Sequence, residues 1–263
     1  MKKLLISCIL ILLVITGCSN SKESKSEDLL SLIKQKGEII IATEGTWSPW
    51  TYHDESDELV GYDVELGKLI ADKLGVKATF MEAEWDSLFA GLDAKRYDIV
   101  LNGVEVTEQR SQKYDFTSPY ALIKTAIIVE GNNSLINSFE DLNGKSTANT
   151  LASTYATLAE SYGATPTGVD DLSQTIELVL SGRVDATLNA EVSYYDYMAQ
   201  HPNANLKIAA LTEDASSVSI PLRKGEETES LMIEINRIID ELKTSGELSA
   251  LSNKYFGIDL TQQ

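Results

Sequence analysis

Arg96-Tyr97-Asp98-Ile99-Val100-Leu101-Asn102-Gly103 lines up with Arg183-Val184-Asp185-Ala186-Thr187-Leu188-Asn189-Ala190, sharing the frame R-x-D-x-x-L-N at a separation of 87 residues. Each copy follows an amphipathic helical stretch and reads as a short strand ending at an asparagine. A duplicated helix-then-strand unit predicts two similar α/β lobes. Ligands of open parallel sheets bind beyond the carboxyl ends of the strands, so Asn102 and Asn189 are expected to face one another across a cleft.

The same alternation extends outward from both copies. Glu38–Ala42 reads as a buried strand, Val64–Leu74 as a helix with Asp63 as N-cap and Gly75 just past its end. Lys77–Glu82 reads as a strand, Asp86–Ala94 as a helix and Tyr97–Leu101 as a strand. Beyond residue 140, Ser138-Phe139-Glu140-Asp141 fits a capping box. A strand is expected at Ser146–Thr150, helices at Thr154–Tyr162 and Leu172–Leu180, and a strand at Val184–Asn189. Glu226–Thr244 reads as a long amphipathic helix stopped by Gly246, with a shorter one before Gly257. These last helices bring no strands, so they are expected to pack back on one lobe. Leu122–Val129 and Ser216–Leu222 are extended apolar stretches, candidate crossings between lobes in a hinge design. The predicted class is α/β, each lobe a mainly parallel sheet flanked by helices.

The ends of the chain carry a different message. Lys2 and Lys3 precede an apolar run, Leu4–Ile15, too short for the roughly 20 residues of a membrane-spanning helix. With small residues following, it reads as an export signal. Ile15-Thr16-Gly17-Cys18 resembles the lipobox of bacterial lipoproteins, which implies cleavage before Cys18 and lipid on its sulfur. Cys8 would leave with the signal, and the folded part would hold no thiol. Ser19–Glu27 is polar throughout and reads as a tether of at most roughly 30 Å.

Composition excludes several function classes. Of 263 residues, 22 are Lys or Arg and 40 are Asp or Glu, a net charge of -18. Without a basic run, such a chain is repelled by phosphate backbones, so no nucleic-acid partner is expected. Two histidines (His53 and His201) and two cysteines leave few ligands for zinc or iron, so no metal and no cofactor are expected. No G-x-S-x-G, H-E-x-x-H or P-loop occurs, which makes catalysis the weaker class.

Candidate binding residues lie at strand ends and helix starts. Arg110, just after Thr107, can offer two parallel N–H donors to a carboxylate; it can equally pair with Glu108 or Asp115 on the surface. Ala152-Ser153-Thr154 opens a helix whose free N–H groups suit an anion, or is an ordinary cap. The Thr43–Tyr52 loop carries Trp47, Trp50 and Tyr52, and Trp85 opens the next helix. Aromatic faces there suit a ligand side chain or a cation, although Trp50 and Tyr52 suit a core equally well.

Several stretches resemble the extracytoplasmic amino-acid-binding proteins of bacterial ABC importers. They are Gly61–Glu65, Trp85–Asp98, Val106–Arg110 leading to Tyr114–Tyr120, Ser138–Lys145 and Gly182–Ala186. The wording of Thr43–Tyr52 and Trp85–Asp98 is most similar to the cystine-binding branch. The resemblance implies a two-lobed periplasmic-binding-protein type II fold with a two-strand hinge that closes on one amino acid. The implied organisation is a signal peptide at 1–17, a lipidated tether at 18–28, lobe 1 at 29–123 and 221–263, and lobe 2 at 124–220. Arg110 matches the family's carboxylate-binding arginine and Thr154 its second-lobe partner, with Thr150, Ala152 and Ser153 in the same segment. Trp47 and Trp85 match the positions that sandwich the ligand side chain, and Glu44 one that reads its polarity. Asn102, Gly103 and Glu105 match the strand-end segment holding the head group.

Two departures stand out. Many members place an Asp after the second-lobe strand to pair the ligand ammonium, where this chain has Asn189, Ala190 and Glu191. The expectation is that Glu105 takes the ammonium, with Glu191 as the fallback. Ala152 stands where glycine is usual, a sterically mild change. The implied protein is a monomeric, non-enzymatic lipoprotein on the outer face of the cell membrane, anchored through Cys18 and serving an ABC permease and its ATPase. Its expected ligand is cystine, with arginine, lysine or glutamine as alternatives. An enzyme of the same fold, of dehydratase type, is the rival class, and a sensory receptor domain is a third.

Overall fold

The computed structural model describes residues 28–262. The expected signal peptide, Cys18 and the expected tether through Glu27 lie outside the described residues. The molecule is two-lobed, and each lobe is built on a short sheet whose central strand is apolar through its middle.

In the first lobe the strands run in the order Lys77–Glu82, Glu38–Thr43, Ile99–Val100, all parallel. Ile39 and Ile41 are fully buried and pack with Leu66 and Ile70 of the Tyr62–Leu74 helix. The C-terminal helices, Glu226–Ser245 and Glu247–Phe256, close this same core. Leu231, Ile235, Ile238, Ile239 and Leu242 form one buried stripe at helical spacing, so these helices do return to one lobe.

The second lobe has Thr125–Glu130 at its centre, antiparallel to Thr187–Ala190 on one side and Leu206–Leu211 on the other. Ser146–Asn149 pairs in parallel with Thr165–Gly168 and joins the sheet through a parallel bridge, Thr147 to Ala186. Only Thr125–Glu130 therefore runs against the rest. The expected crossings are more sharply divided than their sequence suggests. Ala121–Ile123 and Ser216–Val218 pair antiparallel as two straps, whereas Thr125–Glu130 belongs to the second-lobe sheet. Pro221–Arg223 pairs with Tyr114–Phe116.

The internal echo is structural. Asp98 accepts the Ile40 N–H at 2.7 Å and returns its own N–H to the Ile40 carbonyl at 2.9 Å. Asp185 does the same with Ser146, at 2.8 and 2.9 Å. In each lobe an aspartate thus locks the strand bearing the asparagine onto its neighbour.

Boundaries differ in instructive ways. The strands within each echo are short, Ile99–Val100 and Thr187–Ala190, and the helix expected from Asp86 begins at Trp85. Ser138–Asp141 caps only a 3-10 turn, Glu140–Leu142; Asp141 does reach back to the Asn137 and Ser138 N–H groups. Asp63 is not an N-cap. The helix begins at Tyr62 after Gly61, at φ 132°, and the Asp63 side chain turns inward and is wholly buried. One oxygen accepts the Gly103 N–H at 2.5 Å and the Tyr120 hydroxyl at 3.1 Å, while the other has no partner. Burial raises this carboxyl to about 7.

The native state therefore keeps a proton that the unfolded chain releases near pH 4, and this contribution to stability is lost as pH rises towards 7. The full shift corresponds to roughly 4 kcal/mol. Urea unfolding at pH 5 and pH 8 is expected to show a smaller pH-dependent loss for Asp63→Asn than for the parent. Equal losses in the two proteins would contradict this placement.

Candidate functional site

The parallel pairing of Glu38–Thr43 with Ile99–Val100 brings Glu44 and Asn102 side by side at the strand ends. Asn102 Oδ1 accepts the Glu44 N–H at 2.8 Å and the Thr43 and Thr51 hydroxyls at 3.1 and 3.2 Å. Its Nδ2 donates to Glu44 Oε2 at 2.6 Å. Asn102 is therefore a clamp that sets the position of Glu44. Burial raises the Glu44 carboxyl to about 7, against the hydrogen bonds from Asn102 and the Trp85 N–H, with Asp170 and Asp86 adding repulsion.

Gly103 follows at φ 58°, its N–H held by Asp63. A Cβ here would lie 3.2 Å from the Trp50 ring, so glycine lets that indole close one wall. Arg110 sits in the Glu108–Lys113 helix, whose Thr107 cap accepts the Arg110 N–H at 3.1 Å. Its Nη1 donates to the Glu105 carbonyl at 2.8 Å, and its guanidinium lies 5.1 Å from the Trp85 ring centroid and 5.5 Å from that of Phe89. Burial pulls its pKa below the ordinary arginine value, partly offset by the Glu105 charge. Among the described residues it forms no ion pair, so neither Glu108 nor Asp115 takes it. Arg110 lines the cavity.

The second lobe contributes the turn after Ser146–Asn149. Ser153 caps the Thr154–Ser161 helix by accepting the Ala156 N–H at 3.1 Å, leaving the first N–H groups at the cavity. The Thr154 hydroxyl donates to Glu105 Oε1 at 2.7 Å, across the lobes. Two indoles add longer interlobe contacts, Trp47 Nε1 to Asn189 Oδ1 and Trp85 Nε1 to the Ala152 carbonyl, both at 3.5 Å. Ser48 donates to Asp196 at 2.7 Å. These four side-chain contacts cross between the lobes.

The cleft between the lobes holds about 530 Å³ of space not filled by atoms, open solvent at its mouth included. Glu44, Trp47, Trp85, Asn102, Gly103, Glu105, Arg110, Thr150, Ser153 and Thr154 line it. Glu44, Trp85 and Thr150 also border a second space of about 610 Å³, whose other walls include Glu84, Asp86 and Asp170.

Three expected residues stand outside these walls. Asn189 is buried in its strand, and its oxygen faces Trp47 and the Ala190 N–H. Glu191 turns towards Lys124 at the crossing, and burial raises its carboxyl pKa. Ala152 borders two neighbouring clefts with Arg110. The change to alanine there is not mild, because Ala152 has φ 60°, in the left-handed region. Three lining residues escaped the sequence reading: Trp50, left there as equally a core residue, Asn149 and Tyr155. Asn149 gives its Nδ2 to the Leu188 carbonyl at 2.8 Å, while its buried Oδ1 has no partner. A strand-end asparagine beside Thr150 was the available signal.

Comparison with known proteins agrees with the two-lobed fold. The model of the bacterial extracellular solute-binding proteins, family 3, matches residues 39–258. An L-cystine-binding protein of Bacillus subtilis, TcyA, is 38% identical over 271 residues, covering all of both chains. The L-cystine solute receptor of Neisseria gonorrhoeae, in its unliganded open conformation, is 36% identical, with a TM-score of 0.62 over 90% of this chain and 100% of that one. An ancestral arginine-binding protein bound to arginine is 35% identical, with a TM-score of 0.78 over 84% of this chain and 99% of that one. The better superposition on a liganded relative than on an open one of similar identity accords with lobes already in contact. The chain belongs to family 3 of the bacterial extracellular solute-binding proteins.

The left-handed alanine generates a prediction. That conformation costs an L-residue roughly 1–2 kcal/mol, while glycine loses about 0.5–1 kcal/mol more on ordering. Ala152→Gly is expected to raise unfolding stability by up to about 1 kcal/mol in chemical denaturation. A loss of stability would contradict the strain.

Proposed function

We propose that this family 3 solute-binding protein captures L-cystine between its lobes and delivers it to the permease of an ABC importer, held at the membrane by lipid on Cys18. The observation that carries the reading is the pair of adjoining spaces. One has a complete set of groups for an amino-acid head, and the other, reached past Glu44 and Trp85, is acidic.

In this reading the ligand carboxylate lies on Arg110 and the N–H groups opening the Thr154–Ser161 helix. A fixed guanidinium fork and a helix N-terminus both favour an anion in a chain whose overall field opposes one. The ammonium lies on Glu105, whose carboxylate retains acceptor positions beyond those used by the second lobe. Trp47 and Trp85 flank the side chain. Cystine carries a second ammonium at its far end, which the Glu44, Asp86 and Asp170 side of the second space suits. Resemblance to L-cystine-binding relatives supports the same choice. The second reading is a single cationic amino acid such as arginine, favoured by that acidic space. Lysine or glutamine stands with it.

Closure follows from the same contacts. A ligand held by Arg110 and Glu105 of one lobe and the helix start of the other stabilises only the conformation that brings them together. We read the protein as a receptor and not an enzyme, in keeping with relatives named as binding proteins. Recovery of unaltered ligand after prolonged incubation separates it from a dehydratase of this fold.

Calorimetry with cystine, arginine, lysine and glutamine is expected to rank cystine first; arginine ahead of it would favour the second reading. Glu105→Gln is expected to weaken cystine binding at least about tenfold, since one buried charge partner is lost. Wild-type affinity in that variant would sink the ammonium assignment.

Glu44 predicts a pH effect. A cationic group beside it favours the ionised carboxylate, so binding expels a proton and affinity falls as pH drops below about 7. Affinity measured between pH 7.5 and 5.5 is expected to fall less in Glu44→Gln than in the parent. Parallel curves would place the distal ammonium elsewhere.

A further inference from the structure

We infer that Ser48 and Asp196 are positioning residues that hold the Trp47 indole against the ligand side chain without touching the ligand themselves. Trp47 and Ser48 occupy successive corners of one turn, closed by the Trp50 N–H donating to the Trp47 carbonyl at 3.0 Å. The first lobe fixes that turn. The Pro49 carbonyl accepts the Tyr62 N–H at 3.0 Å, and the buried Trp50 ring lies 5.8 Å from Tyr62 and 4.8 Å from Phe256.

The second lobe meets the turn at two points. Trp47 Nε1 reaches Asn189 Oδ1 at 3.5 Å, a long contact that holds the indole weakly. The Ser48 hydroxyl donates to Asp196 Oδ2 at 2.7 Å, a bond to a carboxylate and so of the stronger kind. Both acceptors belong to one strand–helix unit, because Asn189 lies in Thr187–Ala190 and Asp196 in the Glu191–Gln200 helix that follows directly. Gln200, one turn on, donates its Nε2 to the same Asp196 oxygen at 2.9 Å and steadies the carboxylate. Trp47 lines the ligand cavity and packs against two cores, one containing Trp50 and Tyr62 and the other Val169 and Leu172. Ser48 and Asp196 line a separate outer cleft between the lobes, with Tyr52 and Tyr197. The strong bond thus sits outside the ligand cavity, one residue from the weakly held indole. Opening breaks both contacts, and closure restores the indole to one place.

This role rests on Trp47 flanking the bound side chain, and the test separates the two. L-Cystine affinity and release rate are measured for Ser48→Ala, Ser48→Thr, Asp196→Ala and Trp47→Ala. The same is done for Ser48→Ala combined with Asp196→Ala and with Trp47→Ala, with unliganded melting points as a check on folding. Ser48→Ala and Asp196→Ala are each expected to bind about fivefold more weakly, chiefly through faster release, at an unchanged unliganded melting point. Ser48→Thr keeps the hydroxyl and should bind as wild type does. The Ser48→Ala loss should shrink below about twofold when Asp196 or Trp47 is already alanine, because the acceptor or the positioned ring is gone. Wild-type affinity in Ser48→Ala, full additivity with either partner, or an equal loss in Ser48→Thr each overturns the positioning role. Wild-type affinity in Trp47→Ala overturns the placement of the indole on the ligand, and this role with it.

Discussion

The Glu105 carboxylate is the constraint around which the two lobes are arranged. It is almost fully buried on the first lobe, yet the hydroxyl that donates to its side chain, that of Thr154, stands on the second. A buried carboxylate without donors is costly, and so is a buried guanidinium without acceptors. Arg110 meets part of its need through the Glu105 carbonyl and the faces of Trp85 and Phe89. Closure meets more of the need, and an amphoteric ligand is suited to meet the rest. A single amino-acid head carries both complementary charges, so it addresses both groups without leaving an unpaired ion behind.

The field of the whole chain sharpens this logic. At -18 the protein repels free anions, so an anionic head group can be held only by local, desolvated donors. Arg110 and the helix opening at Thr154 supply these on opposite walls. The second space, bordered by Glu44, Glu84, Asp86 and Asp170, extends the acidic character outward along the cleft. A cation at the far end of the ligand works with that field.

Much of the fold was legible because its core elements obey simple periodicities. Lys77–Glu82 and Leu172–Leu180 fall where alternation and helical spacing place them. The R-x-D-x-x-L-N echo marked a real structural device, the aspartate clamps to Ile40 and Ser146. The failures share one cause. Asp63 looks like a helix cap by local rules, but Gly103 and Tyr120, far away in sequence, draw it inside. The Leu122–Val129 run has one apolar pattern but two jobs, a strap and a central strand, which only pairing separates. In the site, Arg110 and the Ser153–Thr154 helix start were visible as residue types at strand ends. The left-handed backbone of Ala152 leaves no mark in composition, and Tyr155 reads locally as one more aromatic on a helix face. Its place in the cavity wall with Glu105 and Arg110 emerges only once the two lobes are assembled.

The most direct test of the central claim is a crystal structure of the protein with L-cystine bound. The account predicts one α-carboxylate on Arg110 and the N–H groups opening the Thr154–Ser161 helix, the adjoining α-ammonium on Glu105, and the distal half past Glu44 and Trp85. A head group bound in the opposite sense, with its ammonium away from Glu105, would contradict it.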